Sequence, residues 1–460
     1  MKQFDILIIG GGAAGSKCAD TANRLGYRVA LIERDTLGGT CLNYGCDPTK
    51  ALLYSAQLLY QAQHGECYGL GLSANPADWN KLQTHMKDVI HTVRGYTKEE
   101  AQTMMEEAEI ALFWGEASFA SPHEVIVNDE TLAAEQIVIA TGSEPTIPAI
   151  PGLAETGFVT NKKLLYQASL PGRLAVVGGG SVGVEFAQMM HRFGVAVHLI
   201  ESEMHILPQD EPELTDMLAH SLREEGISVE TNTQVVRTKR HKEARQLVLQ
   251  YENEYEKEIL VDEILVATGR HPAIEGLNLE AAGVEIEEDH IKVNEMLRTS
   301  VPHIWAAGDV VTDYPFTHVA WRQGEHIAQN VFAAAPKPFA PGPIPWVSYT
   351  DPALAHVGQT EAQLQQAGIP YRVARHGLER SSRAIIMRQE VGLIKLLVGE
   401  DDLLLGGHIL ADRAGELIAV LVLAMKAGLP IQALQDAVFP YPTLGEAIGE
   451  AARGLLAAAK

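Results

Sequence analysis

The feature that most constrains the fold is a strand, a glycine loop, a helix and a second strand ending in an acid, a pattern that occurs twice in the 460 residues. Each copy begins with an apolar run typical of a buried parallel strand. The loop then has the Gly-x-Gly-x-x-Gly spacing, and the acid follows 23 residues after the first glycine. The residues concerned are Gly10, Gly12, Gly15 and Glu33 in the first copy, and Gly178, Gly180, Gly183 and Glu201 in the second.

This order of elements is typical of dinucleotide binding. The glycines allow a tight turn and a close approach of the backbone to a pyrophosphate at the helix N-terminus, and the acid accepts a hydrogen bond from a ribose hydroxyl. A lone glycine triplet would be weak evidence, but the complete pattern in two copies predicts two bound dinucleotides. We therefore predict an α/β protein with two Rossmann-like dinucleotide-binding domains.

Two cysteines, Cys41 and Cys46, lie in a short segment between the two copies, close enough in sequence for their sulfur atoms to meet. A helix is predicted to start beside Cys46, where its dipole favours a thiolate, and Lys50 adds positive charge from the same helix face. The alternatives are a structural disulfide or half of a zinc site, although no second Cys/His pair has ligand spacing. We interpret the pair as a redox-active dithiol or disulfide held against a flavin, with FAD and a nicotinamide dinucleotide as cofactors.

The segment 38–50 resembles the active-site signature of the flavin-dependent pyridine nucleotide-disulfide oxidoreductases. This family includes dihydrolipoamide dehydrogenase, glutathione reductase and mercuric reductase, and the resemblance covers essentially the whole chain. It implies that NADH reduces FAD, which in turn reduces the disulfide of Cys41 and Cys46. It also implies that Cys46 contacts the flavin, that Cys41 faces the substrate, and that Gly39 and Thr40 belong to the flavin site.

Further positions match the cofactor motifs of the family. The resemblance assigns cofactor binding to Thr141, Gly142, Gly269, Gly308, Asp309, His318 and Ala320. The aspartate is expected to bond the ribityl chain of FAD, and segment 316–320 to place a helix N-terminus near the flavin. For His318, a simple role at the helix start is the alternative. Glu185 is expected to pair with Lys50 near the flavin, the alternative being a solvated glutamate on a helix face.

The choice between the two nicotinamide dinucleotides depends on Glu201. A carboxylate can accept a hydrogen bond from a free ribose hydroxyl but repels a 2′-phosphate, and an NADP site would need a nearby arginine. The residues that follow, 202–205, contain no arginine and one further acid, although they include His205. We therefore predict NADH rather than NADPH.

Domain boundaries follow from breaks in the pattern. Three prolines between 145 and 151 interrupt regular structure after the first dinucleotide fold, and a proline-rich linker runs from 336 to 343. We predict an FAD-binding domain in two parts, 1–150 and 271–337, with an NAD-binding domain at 151–270 between them. Residues 338–460 are predicted to form an α+β dimerisation domain, because the apolar helix near 415–427 suits a subunit interface. In the family this domain makes the homodimer, and its last segment enters the partner's active site.

That last segment departs from the family pattern. In relatives that exchange dithiols, a histidine oriented by a glutamate serves as acid and base; here the glutamate is Glu446 but the histidine is replaced by Tyr441. Imidazole titrates near pH ~6.5 and a phenol near ~10. Because loss of a positioned general base typically costs about 10²–10⁴ in rate, we predict poor turnover of dihydrolipoamide and of glutathione disulfide.

The acceptor is therefore expected to be a small thiol-reactive species, either a soft metal ion such as mercuric or cupric, a small oxidant or electrophile, or an unusual disulfide. Mercuric reductases also carry tyrosine at this position, and a soft metal ion needs electrons and soft ligands rather than a proton shuttle. However, all four cysteines lie within the first 67 residues, so the cysteine pair that mercuric reductases carry near the C-terminus is missing. Asp47 could contact a metal ion, or it could serve only as a helix-start carboxylate. Two alternative functions are a dihydrolipoamide dehydrogenase variant and a non-enzymatic flavoprotein redox sensor.

The balance of acidic and basic residues indicates which classes of macromolecule the protein is not expected to bind. The formal net charge of −23 argues against nucleic acid and anionic membranes as partners. No apolar run reaches the ~18 residues of a membrane-spanning helix, and the N-terminus shows no signal peptide. We therefore expect a cytoplasmic protein.

Overall fold

The structure is a computed structural model that describes residues 2–72, 75–312 and 314–458. Its strands, in chain order, are β1 Lys2–Ile9, β2 Val29–Glu33, β3 Ala111–Trp114, β4 Ala117–Ser121, β5 Glu124–Val127, β6 Glu130–Ile139, β7 Ser143–Pro145, β8 Arg173–Val177, β9 Ala196–Ile200, β10 Ser228–Glu230, β11 Thr233–His241, β12 Ala244–Tyr251, β13 Glu256–Val261, β14 Glu263–Val266, β15 Arg270–Pro272, β16 Ile286–Glu287, β17 His290–Ile291, β18 Ile304–Ala306, β19 Pro345–Ser348, β20 Ala353–Gly358, β21 Tyr371–Gly377, β22 Leu393–Gly399 and β23 Leu404–Ala411.

The helices, in chain order, are α1 Ala13–Arg24, α2 Gly39–Tyr44, α3 Cys46–Gln63, α4 Trp79–Arg94, α5 Ala101–Glu107, α6 Leu153–Thr156, α7 Asn161–Leu165, α8 Ser181–Arg192, α9 Pro212–Glu225, α10 Leu279–Ala282, α11 Thr317–Asn330, α12 Glu361–Ala367, α13 Ser382–Met387, α14 Ala414–Lys426, α15 Ile431–Asp436 and α16 Glu446–Ala458. Short 3₁₀ turns cover Gly65–Tyr68 and Leu378–Arg380.

The first of two compact units comprises residues 1–51, 83–146 and 269–341. Its main sheet has the order β3-β2-β1-β6-β5-β4, and β18 also pairs with β6. Because successive side chains of a strand point to opposite faces, Ile6 and Ile8 enter a core shared with α1 and α11. Leu7 and Ile9 enter the core on the other face, beside β4, β5 and α10. The central strand is therefore apolar on both faces, as its sequence predicts.

The parallel strands of this sheet position the flavin residues. Strands β2, β6 and β18 each join a parallel ladder with β1 or with one another. Gly10 follows β1, Glu33 ends β2, Thr141 follows β6 by two positions and Gly308 follows β18 by two. Since the carboxyl ends of parallel strands meet at one edge of a sheet, these four residues, far apart in sequence, come together there.

The second unit comprises residues 52–82, 147–268 and 342–460. A parallel sheet of order β10-β9-β8-β14 carries the second glycine loop after β8, and an antiparallel sheet β11-β12-β13 follows it in the chain. A third sheet, β19-β20-β23-β22-β21, is antiparallel throughout. Helices α14 and α16 contribute to a buried apolar core with its central strands.

The predicted α/β class is confirmed, with two dinucleotide-binding folds and a C-terminal α+β segment. The two compact units do not test the finer division at 150, 270 and 337, which stays a prediction. Among the helices in the described parts of the chain, none has the length and apolar character needed to cross a membrane.

Candidate active site

The cysteine segment forms two consecutive helices. Cys41 lies within α2 and Cys46 is the first residue of α3, with Gly45 between the helices. Gly39 begins α2 with φ +59°, and a side chain there would bring its Cβ within 2.7 Å of the Cα of Gly12. A residue without a Cβ is therefore required where the cysteine segment approaches the first glycine loop. The predicted position of Cys46 at a helix N-terminus agrees with the structure.

The two cysteines are free thiols with opposite tendencies to ionise. A hydrogen bond from the Cys41 thiol lowers the pKa of Cys46 to about 6, and the positive charge of Lys50 acts in the same direction. The same hydrogen bond, followed by burial, raises the pKa of Cys41. At neutral pH the pair therefore holds one thiolate, on Cys46, and one protonated thiol, on Cys41.

A hydroxyl from a distant part of the chain completes this thiol pair. The Oγ1 atom of Thr317, the first residue of α11, lies 3.8 Å from the Sγ atom of Cys46. A hydrogen bond from Thr317 also lowers the pKa of Cys41. The positive end of α11 thus faces the thiols. The sequence pattern predicts a role for His318 in this segment and misses Thr317; the His318 ring stacks on Phe316 at 5.5 Å between centroids.

The first glycine loop fits the dinucleotide half of FAD. The Glu33 carboxylate accepts hydrogen bonds from the backbone N–H groups of Gly11, at 2.8 Å, and Asp35, at 2.7 Å. Helix α1 follows Gly12, whose position lacks a capping side chain. The Oγ1 atom of Thr141 is buried with no hydrogen-bond partner among the described residues. Because buried polar atoms are normally bonded, this hydroxyl fits contact with a bound group.

The predicted FAD-binding residues Gly308 and Asp309 are held by residues that the sequence pattern does not predict. The Ser143 hydroxyl donates to Asp309 Oδ2 at 2.5 Å, and Arg270 Nε donates to the same hydroxyl at 2.7 Å. The N–H of Gly308 donates to Gln323 Oε1 at 2.7 Å. Burial lowers the pKa of Arg270, while the charges of Asp309 and Cys46 oppose that shift. The remaining predicted positions lie beside these: Gly142 precedes Ser143, Gly269 precedes Arg270 and Ala320 is buried in α11.

The second glycine loop repeats the geometry of the first. Glu201 Oε2 accepts from the N–H of Gly179 at 2.6 Å, and Oε1 accepts from the N–H of Glu203 at 2.8 Å. Gly180 immediately precedes α8, and a Cβ at this position would meet no atom within 4 Å. The loop therefore leaves open space at the helix N-terminus, where a second pyrophosphate fits. His205, a residue that could favour a phosphate, pairs with Asp216 at 2.7 Å.

Glu185 and Lys50 belong to different compact units, and their predicted pairing stays a prediction. Glu185 is only 4% exposed, and its Oε1 accepts from the N–H of Tyr349 at 2.9 Å. The alternative of a solvated glutamate on a helix face is therefore wrong.

The C-terminal segment exposes the residue that replaces histidine. Tyr441 is 75% exposed, and its hydroxyl donates to the Ser382 hydroxyl at 3.3 Å. Glu446 begins α16, and its Oε2 accepts from the N–H of Thr443 at 3.0 Å. Val438, nearby in the same segment, is 97% exposed. Within the described residues, no group of three or more His, Cys, Asp or Glu side chains could hold a metal ion.

Two dinucleotide folds and a thiol pair with one stabilised thiolate define an oxidoreductase that works through sulfur. Comparison with known proteins agrees: the pyridine nucleotide-disulphide oxidoreductase domain matches residues 4–324, and the dimerisation domain of the same family matches residues 344–452. The chain belongs to the pyridine nucleotide-disulphide oxidoreductase family.

The chain resembles family members of different activities. It is 37% identical to a dihydrolipoyl dehydrogenase of Thermus scotoductus, over 99% of this chain and 98% of that one. It is 34% identical to a mercuric reductase of Staphylococcus aureus, over 98% of this chain and 82% of that protein. Among solved structures, the Cu(II) complex of RclA, an HOCl-induced flavoprotein disulfide reductase from Escherichia coli, is similar with a TM-score of 0.87. Its sequence is 29% identical, covering 98% of this chain and 99% of that one.

These comparisons confirm the predicted family and enzyme class, and they do not support the non-enzymatic alternative. The protein is a flavoprotein oxidoreductase of a family that uses FAD and NAD(P)H, and its dimerisation domain indicates a homodimer. The roles of the individual site residues stay predictions.

Proposed function

We propose that the protein is an NADH-dependent flavoprotein reductase that passes electrons through Cys41 and Cys46 to a small thiol-reactive acceptor. The observation that carries this proposal is the asymmetry of the thiol pair. Cys46 is the stabilised thiolate, whereas Cys41 retains its proton. This asymmetry suits different roles for the two cysteines, with Cys46 exchanging electrons with the flavin and Cys41 reacting with the acceptor.

The chain's own residues would provide binding and proton control. FAD, when bound, supplies a two-electron carrier between the nicotinamide and the disulfide. Glu33, Thr141 and Asp309 would hold it, while Lys50 and Thr317 favour the thiolate of Cys46. When the pair closes to a disulfide, one thiol and one thiolate release two electrons and one proton to the acceptor and solvent. Reduction of the disulfide by NADH restores the pair.

NADH is the proposed donor because Glu201 fills the ribose end of the second loop with a carboxylate. Its two oxygens already accept hydrogen bonds from the N–H groups of Gly179 and Glu203, which fixes the negative charge in place. A 2′-phosphate would meet that charge without a compensating arginine in the segment that follows. Comparison of kcat/KM for NADH and NADPH tests this choice, and a preference for NADPH would contradict it.

The acceptor is proposed to be a species that needs no proton shuttle. Tyr441 stands where dithiol-exchanging relatives have a histidine, and we propose that Tyr441 and Glu446 of each subunit line the site of the other. A cupric or mercuric ion, taken as substrate, suits such a site because its reduction requires electrons rather than a general base. The likeness to RclA solved with Cu(II) and to mercuric reductases supports testing these ions first.

A second candidate is a dihydrolipoamide dehydrogenase in which tyrosine suffices. The 37% identity to the Thermus scotoductus enzyme favours it. Assay of dihydrolipoamide with NAD⁺ separates the two, because a missing general base should cost about 10²–10⁴ in rate. Turnover at an ordinary enzyme rate, about 10 s⁻¹, would favour the second candidate.

The main experiment is a screen of acceptors with NADH and purified holoenzyme. Mercuric and cupric ions, hypochlorous acid, lipoamide and glutathione disulfide are each tested as acceptors with the wild-type enzyme and with the Cys41→Ala variant. We expect NADH oxidation with at least one of the first three, and its loss in Cys41→Ala. Equal activity in the variant would show that the flavin reduces the acceptor directly.

Location in the cytoplasm stays a prediction from the sequence.

A further inference from the structure

A carboxylate directly follows the second cysteine of the redox pair in the chain. Asp47 follows Cys46 in the first turn of α3, three residues before Lys50. Because neighbouring Cα atoms are about 3.8 Å apart and both side chains are short, the carboxylate lies within about 10 Å of the Cys46 sulfur, which is roughly one Debye length at moderate ionic strength. Asp47 is neither buried nor fully exposed, and the same is true of Cys41 and Cys46. A solute that reaches these sulfurs is therefore within range of the charge on the carboxylate.

The negative charge of Asp47 reaches both sulfurs. It raises the pKa of Cys46 and of Cys41, and so opposes the formation of a thiolate at either position. Burial raises the pKa of Asp47 itself, whereas the positive charge of Lys50 favours its ionised form. The Asp47 carboxylate therefore does not assist deprotonation of either cysteine. Its bond to its own backbone N–H contributes to the helix start, but a neutral asparagine could do the same.

We propose that Asp47 is a specificity-determining residue that favours positively charged acceptors at the Cys41–Cys46 pair and disfavours negatively charged ones. This inference rests on the proposed function, since it names the class of substrate for that site. A partly buried carboxylate acts through a lower dielectric than water, so its field on an approaching solute is stronger than that of an exposed acid. The formal net charge of −23 adds a long-range bias of the same sign.

The acceptors that fit are metal cations, and small disulfides that carry ammonium groups serve as probes with the same sign of charge. With such a disulfide, the proton of Cys41 first passes to the Cys46 thiolate along the hydrogen bond between them. The Cys41 thiolate then attacks one sulfur of the acceptor, breaks its S–S bond and releases one thiolate, which takes the proton from Cys46. The Cys46 thiolate finally attacks the Cys41 sulfur and releases the second product as a thiolate, which solvent protonates. The pair ends as a disulfide, two electrons having passed to the acceptor, and NADH restores the thiols.

The test compares three disulfides that differ in charge: cystamine with two ammonium groups, 2-hydroxyethyl disulfide with none, and 3,3′-dithiodipropionate with two carboxylates. The holoenzyme is assayed with NADH at pH 8 as wild type, Asp47→Asn and Asp129→Asn. The last variant removes one exposed acid from the β5–β6 turn and is the matched control for net charge. A ratio of kcat/KM values is used because any general change in thiol reactivity cancels in it.

We expect Asp47→Asn to lower the ratio of kcat/KM for cystamine over dithiodipropionate on the order of tenfold, and Asp129→Asn to change it by less than about twofold. The difference between wild type and Asp47→Asn should shrink as salt rises, since screening weakens charge effects. An unchanged ratio in Asp47→Asn would overturn the inference.

A second readout does not require turnover. The chemically reduced pair is treated with neutral iodoacetamide and with anionic iodoacetate, and the ratio of alkylation rates is compared between wild type and Asp47→Asn. We expect iodoacetate to gain severalfold relative to iodoacetamide in the variant; equal ratios would overturn the inference. Cys41→Ala separates the two proposals: if it still reduces the acceptors, the proposed function fails, and the alkylation ratios alone decide the role of Asp47.

Discussion

At the scale of single residues, the site depends on groups that adjust the charge of two sulfurs. Lys50 and Thr317 lower the pKa of Cys46, whereas Asp47 raises it. Only Lys50 and Asp47 are neighbours of the cysteines in sequence. Thr317 is 271 positions from Cys46, and only the fold brings its hydroxyl to the thiol. The balance among these groups makes the ionisation of the pair sensitive to single substitutions.

Replacing Thr317 by valine should raise the pKa of Cys46 from about 6 by about 0.5–1 pH unit, because a hydrogen bond to the charged sulfur is lost while the shape is kept. The thiolate fraction at pH 6.5 then falls. The pH dependence of alkylation of the reduced enzyme measures this shift. Thr317→Ser keeps the hydroxyl and should restore the wild-type profile; identical profiles for valine and threonine would exclude the hydrogen bond.

Replacing Tyr441 by histidine should raise kcat/KM for dihydrolipoamide by about tenfold or more, because imidazole can take the proton of an attacking dithiol near neutral pH. Glu446 is retained to orient the ring. Steady-state assays with NAD⁺ measure the gain, and Tyr441→Phe, which has no titrating group, is the control. If histidine gives no more than phenylalanine, tyrosine is not what limits dithiol exchange.

At the scale of secondary-structure elements, the sequence predicts motifs formed by contiguous residues but not contacts between residues that are far apart in the chain. The two glycine loops, their strands and their acids were predictable because glycine spacing and apolar runs are local signals, and Glu33 and Glu201 both bond the loop N–H groups. The contacts of Ser143 with Arg270 and Asp309 were not predictable. Ser143 lies 127 positions from Arg270 and 166 from Asp309, and nothing in their local sequence indicates which strand ends will meet.

Gly39 illustrates an element that tolerates no side chain. Gly39→Ala should combine the cost of a positive φ with a clash against Gly12 and destabilise the protein by about 2–4 kcal/mol, with loss of bound flavin. Thermal unfolding and the flavin absorbance of purified protein measure both effects. Gly95→Ala is the matched control, because its φ is +78° but no atom lies within 4 Å of the added Cβ. Equal losses in the two variants would show that the clash contributes nothing.

At the scale of the whole molecule, the second unit contains a buried carboxyl group, that of Asp210, whose ionisation affects the stability of the fold. Asp210 is 6% exposed, accepts a hydrogen bond from Trp346 Nε1 at 2.9 Å, and lies 3.7 Å from His356 Nδ1. Burial raises the pKa of Asp210 to about 7 and lowers the pKa of His356 to about 3. The histidine is therefore neutral near pH 7 and does not offset the carboxylate charge.

This arrangement predicts how stability depends on pH. The pKa of Asp210 is higher in the folded chain than the ordinary value of 3.8, so folding favours the protonated form and stability is lost as pH rises toward about 7. Asp210→Asn removes that loss while keeping the shape of the side chain. It should therefore stabilise the protein more at pH 8 than at pH 5.5, by about 2 kcal/mol.

Unfolding midpoints of wild type and Asp210→Asn at the two pH values measure this difference. Asp129→Asn, at an exposed position, should shift stability by less than about 0.5 kcal/mol at either pH. A variant less stable than wild type at pH 8 would mean that the ionised carboxylate is the favoured form. In that case the hydrogen bond from Trp346, together with His356, would compensate for the burial of the ionised Asp210 carboxylate, and the charged form of Asp210 would stabilise the folded protein.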